Sequence, residues 1–186
     1  MTELRRISTK NLILTGMFTA VICVLSQIII PLEPVPFSLS LLAIYLTGAM
    51  LEPRYAFLAA LIYVLLGTFG LPVFAGFAGG PHILTGMTGG FIMAYPIMAF
   101  VTSVFFKLSK NIKTLIYIII PVLGMVISLF ICYFIGTLWF SYSTGSAISY
   151  ALTVCVLPFV AFDLIKIGMA AVIATVLKKA AVKVAL

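Results

Sequence analysis

Long apolar runs alternate with short polar breaks along this chain, at 11–30, 39–51, 55–69, 83–106, 112–138 and 158–177. The runs carry no polar face of the kind a surface helix shows to water, so they predict an all-α integral membrane protein with six transmembrane helices in one membrane domain over 1–186. The second and third runs are shorter than the ~20 residues that cross the hydrocarbon core. They are expected to extend into their flanks or to cross a thinned region.

Charge orders these spans. Of the 11 lysines and arginines, all but Lys166 fall in alternate connecting segments: Arg5, Arg6 and Lys10, then Arg54, then Lys107, Lys110 and Lys113, then Lys178, Lys179 and Lys183. Positive residues collect on the cytoplasmic side, which predicts six spans with both termini inside. The first apolar run is too long for a signal-peptide core and lacks an A-x-A-like cleavage site, so it is expected to be a retained span. The composition agrees: 64% of residues are apolar and 8% charged, a balance that no soluble domain of this size could cover with polar surface. The net charge of +7 does not point to nucleic acid, because the basic residues sit at span ends and form no stripe with interleaved aromatics.

Three features mark the predicted outer side. The run Pro31-Leu32-Glu33-Pro34-Val35-Pro36 reads as a stiff loop, since each proline removes a donor and biases its predecessor toward extended backbone. Eight of the 14 glycines fall between Gly67 and Gly90, interleaved with Phe69, Phe74 and Phe77. That density favours a ligand-covering lid over the alternative, a merely flexible loop with Gly86 and Gly90 as a helix-packing pair. Trp139, Phe140 and Tyr142 follow the fifth span as an interfacial aromatic cluster would.

The sequence offers little conventional chemistry. Cys23, Cys132 and Cys155 stand singly without zinc-ligand spacing, and His82 is the lone histidine, so neither a metal site nor a Ser-His-Asp triad is expected. There is no P-loop, G-x-S-x-G or H-E-x-x-H motif; energy for uphill transport would come from a partner or an ion gradient. The exception is VLPFVAFDLIK, where Asp163 and Lys166 share a helix face inside an otherwise uncharged run. Charges at such depth usually face a cavity and mark a substrate or ion path. They could be a self-neutralising pair. As a binding floor, Lys166 would attract an anionic group and Asp163 would accept hydrogen bonds from N–H donors. In the first span, Gly16 and Ala20 form a small-x-x-x-small pair flanked by Thr15 and Thr19, suited to close approach of a second helix from this chain or a partner.

VPFSLS (35–40), GLPVFAGFAGG (70–80), TGMTGGF (85–91) and PFVAFDLIK (158–166) occur in the order and spacing of one family. Together they resemble the BioY family, the biotin-binding substrate-capture (S) components of energy-coupling factor transporters. The resemblance implies an S-component-like six-helix fold in the cell membrane, with a biotin pocket near the outer face and no enzymatic activity or cofactor. Asp163 and Lys166 match the family's final-helix Asp-x-x-Lys, and Thr88, Gly89 and Gly90 its Thr-Gly-Gly. Phe37, Phe74 and Phe77, with Gly76 in the second motif, would meet biotin's apolar body, while Lys166 takes its carboxylate and Asp163 its ureido N–H groups. Gly16 and Ala20 match a helix-one pair that docks on a transmembrane coupling (T) subunit, which carries two ATPases. Departures occur at Met87, Ala161-Phe162 and Ser40, where the family more often has proline, Pro-Gly and glutamine. Two other classes remain. An ion-coupled carrier for a small carboxylate-bearing solute would use Asp163 as a proton site, but the chain lacks inverted-repeat halves; an intramembrane enzyme would need a second embedded acid, which is missing.

Overall fold

The computed structural model describes residues 9–30, 37–110 and 116–184; the Pro31–Pro36 run, Arg5, Arg6 and Lys113 lie outside them. The chain is mostly helical. It runs α1 (Thr9–Leu25), β1 (Ile29–Ile30), β2 (Phe37–Ser38), α2 (Ser40–Met50), α3 (Pro53–Thr68), α4 (Pro81–Thr85), α5 (Gly89–Ser109), α6 (Ile116–Thr144), α7 (Ile148–Cys155) and α8 (Leu157–Val184). By length and composition α5, α6 and α8 can cross a membrane, whereas α1, α2 and α3 have 17, 11 and 16 residues.

Every predicted apolar run falls on a helix, with shifted ends. The first run stops at Leu25 because its tail turns and pairs as β1 with β2, Ile29 opposite Ser38 and Ile30 opposite Phe37. This antiparallel ribbon amends the all-α expectation. The fourth helix starts at Gly89 instead of 83, because residues 81–85 form the separate turn of α4. Helix α7 was not expected.

Helix α2 is the hub. Leu42 to Ala49 are all buried, and the helix packs against α1, α3, α5 and α8. A helix that is apolar all round belongs inside a bundle, which explains how an 11-residue element with no polar face sits at its centre. Packing against α5 is close at Gly48, where an added Cβ would lie 2.7 Å from Thr102 Cβ.

Hydroxyls tie the helices where apolar packing alone gives little direction. Thr19 Oγ1 donates to Ala59 O (3.0 Å), linking α1 to α3, and Ser103 Oγ donates to Leu51 O (2.5 Å), linking α5 to the end of α2. Thr102 and Ser128 share a hydrogen bond of 3.1 Å between α5 and α6, the most extensively packed pair. Trp139 Nε1 donates to Gly86 O (3.0 Å), fastening the α4–α5 turn to α6. The aromatic cluster therefore divides: Tyr142 is exposed, Phe140 is buried, and Trp139 is a structural donor.

Candidate functional site

Helix α8 buries one stripe, Phe159, Asp163, Lys166, Ile167, Ala170 and Ala174, and exposes Leu164, Ile165, Met169, Val172 and Val176. Both charges of the apolar run therefore point into the bundle, where each is only 4% exposed. Lys166 Nζ donates to Asp163 Oδ1 at 2.8 Å, and the hydroxyl of Tyr133 on α6 donates to Asp163 Oδ2 at 2.6 Å. The ammonium also lies 3.8 Å from the centroid of the Phe37 ring. Each contact offsets part of the cost of holding a charge in a low-dielectric interior.

Donor and acceptor capacity is left over. A carboxylate accepts about four hydrogen bonds and an ammonium donates three; here Asp163 uses two and Lys166 one, with the Phe37 ring over another face. The spare groups border a cavity of about 60 Å³ lined also by Ser38, Leu41, Phe91, Tyr95, Cys132, Cys155 and Phe159. A second cavity of about 60 Å³ adjoins it, bounded by Ser26, Ser40, Tyr63, Ala75, Thr88 and Ile92, and the two share Ser38, Phe91 and Tyr95 as a wall. One lobe is thus charged and aromatic, the other lined by hydroxyls. Ser38, Ser40 and Tyr95 form a hydrogen-bonded row along the partition, at 2.6 and 2.8 Å.

The residues singled out in the sequence divide three ways. Phe37, Asp163 and Lys166 meet in the first lobe, and Thr88 borders the second. Phe37 arrives there because the ribbon folds it back over α8, stacked on Phe159 (6.5 Å) and edge-on to Phe162 (5.1 Å). Phe74 does not line these cavities. Its buried ring packs edge-on against Tyr63 (5.5 Å), which stacks on Tyr95 (6.2 Å), so it braces the partition from behind. Gly67 gives that ring room, since an added Cβ would strike it. Gly76 and Phe77 lie in the loop above, both at positive φ (73° and 57°), and Phe77 is exposed. Gly89 is buried at the start of α5, where an added Cβ would collide with the Leu84 backbone.

Tyr133 and Tyr95 escaped the sequence reading, and Cys132 and Cys155 were given no site role in it, because single polar atoms in apolar runs give no periodic signal. Gln27 escaped it too. Its Nε2 donates to Val73 O and its Oε1 accepts from Phe77 N, both at 2.8 Å, which clamps the 69–80 loop to the end of α1. Gly16 and Ala20 lie elsewhere, exposed on α1, and an added Cβ at Gly16 meets nothing within 4 Å. Their face is free of intramolecular packing among the described residues.

The family model described as the BioY family matches residues 1–183. The chain belongs to the BioY family. Among its curated relatives, the biotin transporter BioY of Thermotoga maritima is 39% identical over 170 residues, covering 91% of this chain and 96% of that protein. The probable biotin transporter BioY of Pyrococcus horikoshii is 34% identical over 165 residues, covering 89% and 94%. A crystal structure described as the S-component for biotin from an ECF-type ABC transporter superposes with a TM-score of 0.79 at 28% identity, covering 96% of this chain and 95% of that one. The apolar helices of this BioY chain are accordingly those of a membrane protein.

Proposed function

We propose that this BioY protein binds biotin between the Asp163–Lys166 pair and the hydroxyl-lined lobe, and acts as the substrate-specific S component of an ECF-type transporter. One observation carries the reading: in a chain of this family, two buried charges with unused hydrogen-bonding capacity border a cavity. As a transport protein it hydrolyses no ATP itself; partner subunits supply that hydrolysis.

The pair's geometry changes the expected division of labour. At 2.8 Å the charges form one neutral unit, too compact to read groups at opposite ends of an extended ligand. A carboxylate placed on Lys166 would also face the nearby Asp163 carboxylate, whose repulsion offsets the attraction. A ureido group suits the pair better, its N–H groups donating to Asp163 and its carbonyl accepting from Lys166. Phe37, Phe91 and Phe159 then flank the bicyclic body, and the valeryl chain extends toward Thr88. Spanning both lobes requires Ser38, Phe91 or Tyr95 to shift, since they form the wall. Phe77, Gly76 and Gly89 serve this site through the loop and the α5 start.

Alternating positive charge supports six crossings, with both termini cytoplasmic and the Asp163 end of the bundle outward. The exposed Gly16–Ala20 face then offers a docking surface to a transmembrane coupling subunit with its two ATPases. Titrating purified protein with biotin and with its uncharged carboxamide tests the site. Tight binding of both, differing by less than about tenfold (1.4 kcal/mol), supports a pair that reads the ureido ring; strong rejection of the carboxamide by wild type, abolished in Lys166→Ala, would return the carboxylate to Lys166.

A further inference from the structure

At the end of the bundle opposite the Asp163 site lies a larger cavity, of about 490 Å³, that the transport reading leaves without a role. Lys178 is twelve residues beyond Lys166 on α8, about 18 Å along the helix axis at 1.5 Å per residue. Lys107, in the last turn of α5, and Lys110, just past its end, border the same space, and Glu52 is the one acidic residue among its lining groups. Among the described residues, Asp163–Lys166 is the only ion pair, so no described carboxylate neutralises these three ammonium groups within 4 Å. None of them donates a hydrogen bond to another described side chain or carbonyl. The cavity thus holds an excess of two positive charges with unused donors.

Lys107 and Lys110 are exposed, whereas Lys178 is held in place as well as charged. Lys178 Nζ sits 4.0 Å from the centroid of the Phe106 ring, which holds it over the cavity although α8 is still within its apolar span there. An unpaired ammonium in such a setting is costly, and a resident anion would offset that cost. Beneath the charges the wall is apolar, with Met50, Leu51 and Phe106 facing the same space, and Tyr117 stands beside them. Lysines above an apolar floor match an amphiphile. A purely ionic ligand or an acidic peptide would leave the floor uncovered. Basic pockets between transmembrane helices near the cytoplasmic surface are suited to anionic headgroups.

We infer that this cavity holds the phosphate headgroup of an anionic glycerophospholipid from the inner leaflet, with Lys107, Lys110 and Lys178 as its ligands and the first acyl carbons over Leu51 and Phe106. The site is separate from the biotin pocket, and its occupancy does not depend on biotin.

Native mass spectrometry of the purified full-length protein, titrated with phosphatidylglycerol and with phosphatidylcholine of the same acyl chains, tests this. The expected result is a preference of about tenfold or more for phosphatidylglycerol, given three basic residues near the headgroup. Soluble glycerol phosphate at equal concentration should not displace the lipid. Lys107→Gln with Lys178→Gln should bring phosphatidylglycerol down to the phosphatidylcholine level while biotin binding is kept, and Lys107→Arg with Lys178→Arg should retain the preference. Equal binding of the two lipids by wild type overturns the inference whatever the variants do. So does a preference that survives in the glutamine variant, or displacement by glycerol phosphate, which would assign the cavity to a free anion. Loss of coupling-subunit assembly in the glutamine variant with lipid preference intact would give the cavity to an acidic protein segment instead.

Discussion

A carboxylate that already accepts from Tyr133 and Lys166 is held in place before any ligand arrives, so the roles of these residues should separate on mutation. Truncating one member of a desolvated charge contact costs about 2–5 kcal/mol. Lys166→Ala is therefore expected to weaken biotin binding roughly 30-fold to several thousand-fold at 1.4 kcal/mol per decade, and to weaken the carboxamide by the same factor. Tyr133 acts on Asp163, so it positions the site without being required to touch the ligand. Tyr133→Phe should destabilise the ligand-free protein by about 1.5–3 kcal/mol, the range for a hydrogen bond to a charged group, while affinity falls by much less than in Lys166→Ala. Thermal unfolding and isothermal titration on the same preparations check this; an affinity loss matching that of Lys166→Ala would make Tyr133 a direct ligand contact. The charged pair was legible in the sequence because a charge in an apolar run stands out against its neighbours. Tyr133 was not, because a phenol belongs as naturally to a lipid-facing helix as to a pocket, and only the crossing of α6 over α8 decides between them.

Between β2 and α5 the elements are tied to one another and to their neighbours. Gln27 ties the 69–80 loop to α1, Phe74 braces Tyr63 and through it Tyr95, and Trp139 fastens Gly86. Gln27→Ala removes both of its neutral hydrogen bonds to the loop, each worth about 0.5–1.5 kcal/mol, and should loosen the loop without altering the charged floor. We expect biotin dissociation to quicken by about tenfold, with association changed far less, as most interface changes act on the off-rate. Stopped-flow displacement of a fluorescent biotin analogue measures it, and an unchanged off-rate would show that the loop does not cover the ligand. Glycine density drew attention to this segment, but it did not tell which aromatic residues line the cavities. Phe74 and Phe77 are three apart, yet one is buried behind the wall and the other exposed at positive φ, an outcome set by the loop's bridge between Phe74 and Ala78. The ribbon and α7 were illegible for a related reason: two-residue strands and an eight-residue helix are too short to display a period.

In the molecule as a whole, the proposed ligand site at one end lies apart from the proposed partner face along α1. Ala20→Leu adds bulk to an exposed position where close helix approach needs small residues. Biotin affinity should therefore stay within about threefold, or ~0.7 kcal/mol, while co-purification with the coupling subunit and ATP-driven uptake are lost. Loss of binding and assembly together would mean that α1 packs differently from this arrangement. Orientation can be read by thiol labelling in intact cells after replacement of the native cysteines. Ser143→Cys should react with an impermeant reagent, and Ser8→Cys and Leu186→Cys should not; opposite labelling of the two termini would break the six-crossing topology. The long apolar helices made membrane residence legible from composition, whereas the burial of the short α2 at the hub follows from tertiary packing alone. The most direct measurement is equilibrium binding of labelled biotin to the purified chain, without partner subunits, for wild type beside Asp163→Asn with Lys166→Met. Saturable binding of one biotin per wild-type chain, lost in the double variant with helicity retained, is expected; a wild-type chain that binds no biotin, or a double variant that binds it equally well, would overturn the assignment of Asp163 and Lys166 to the site.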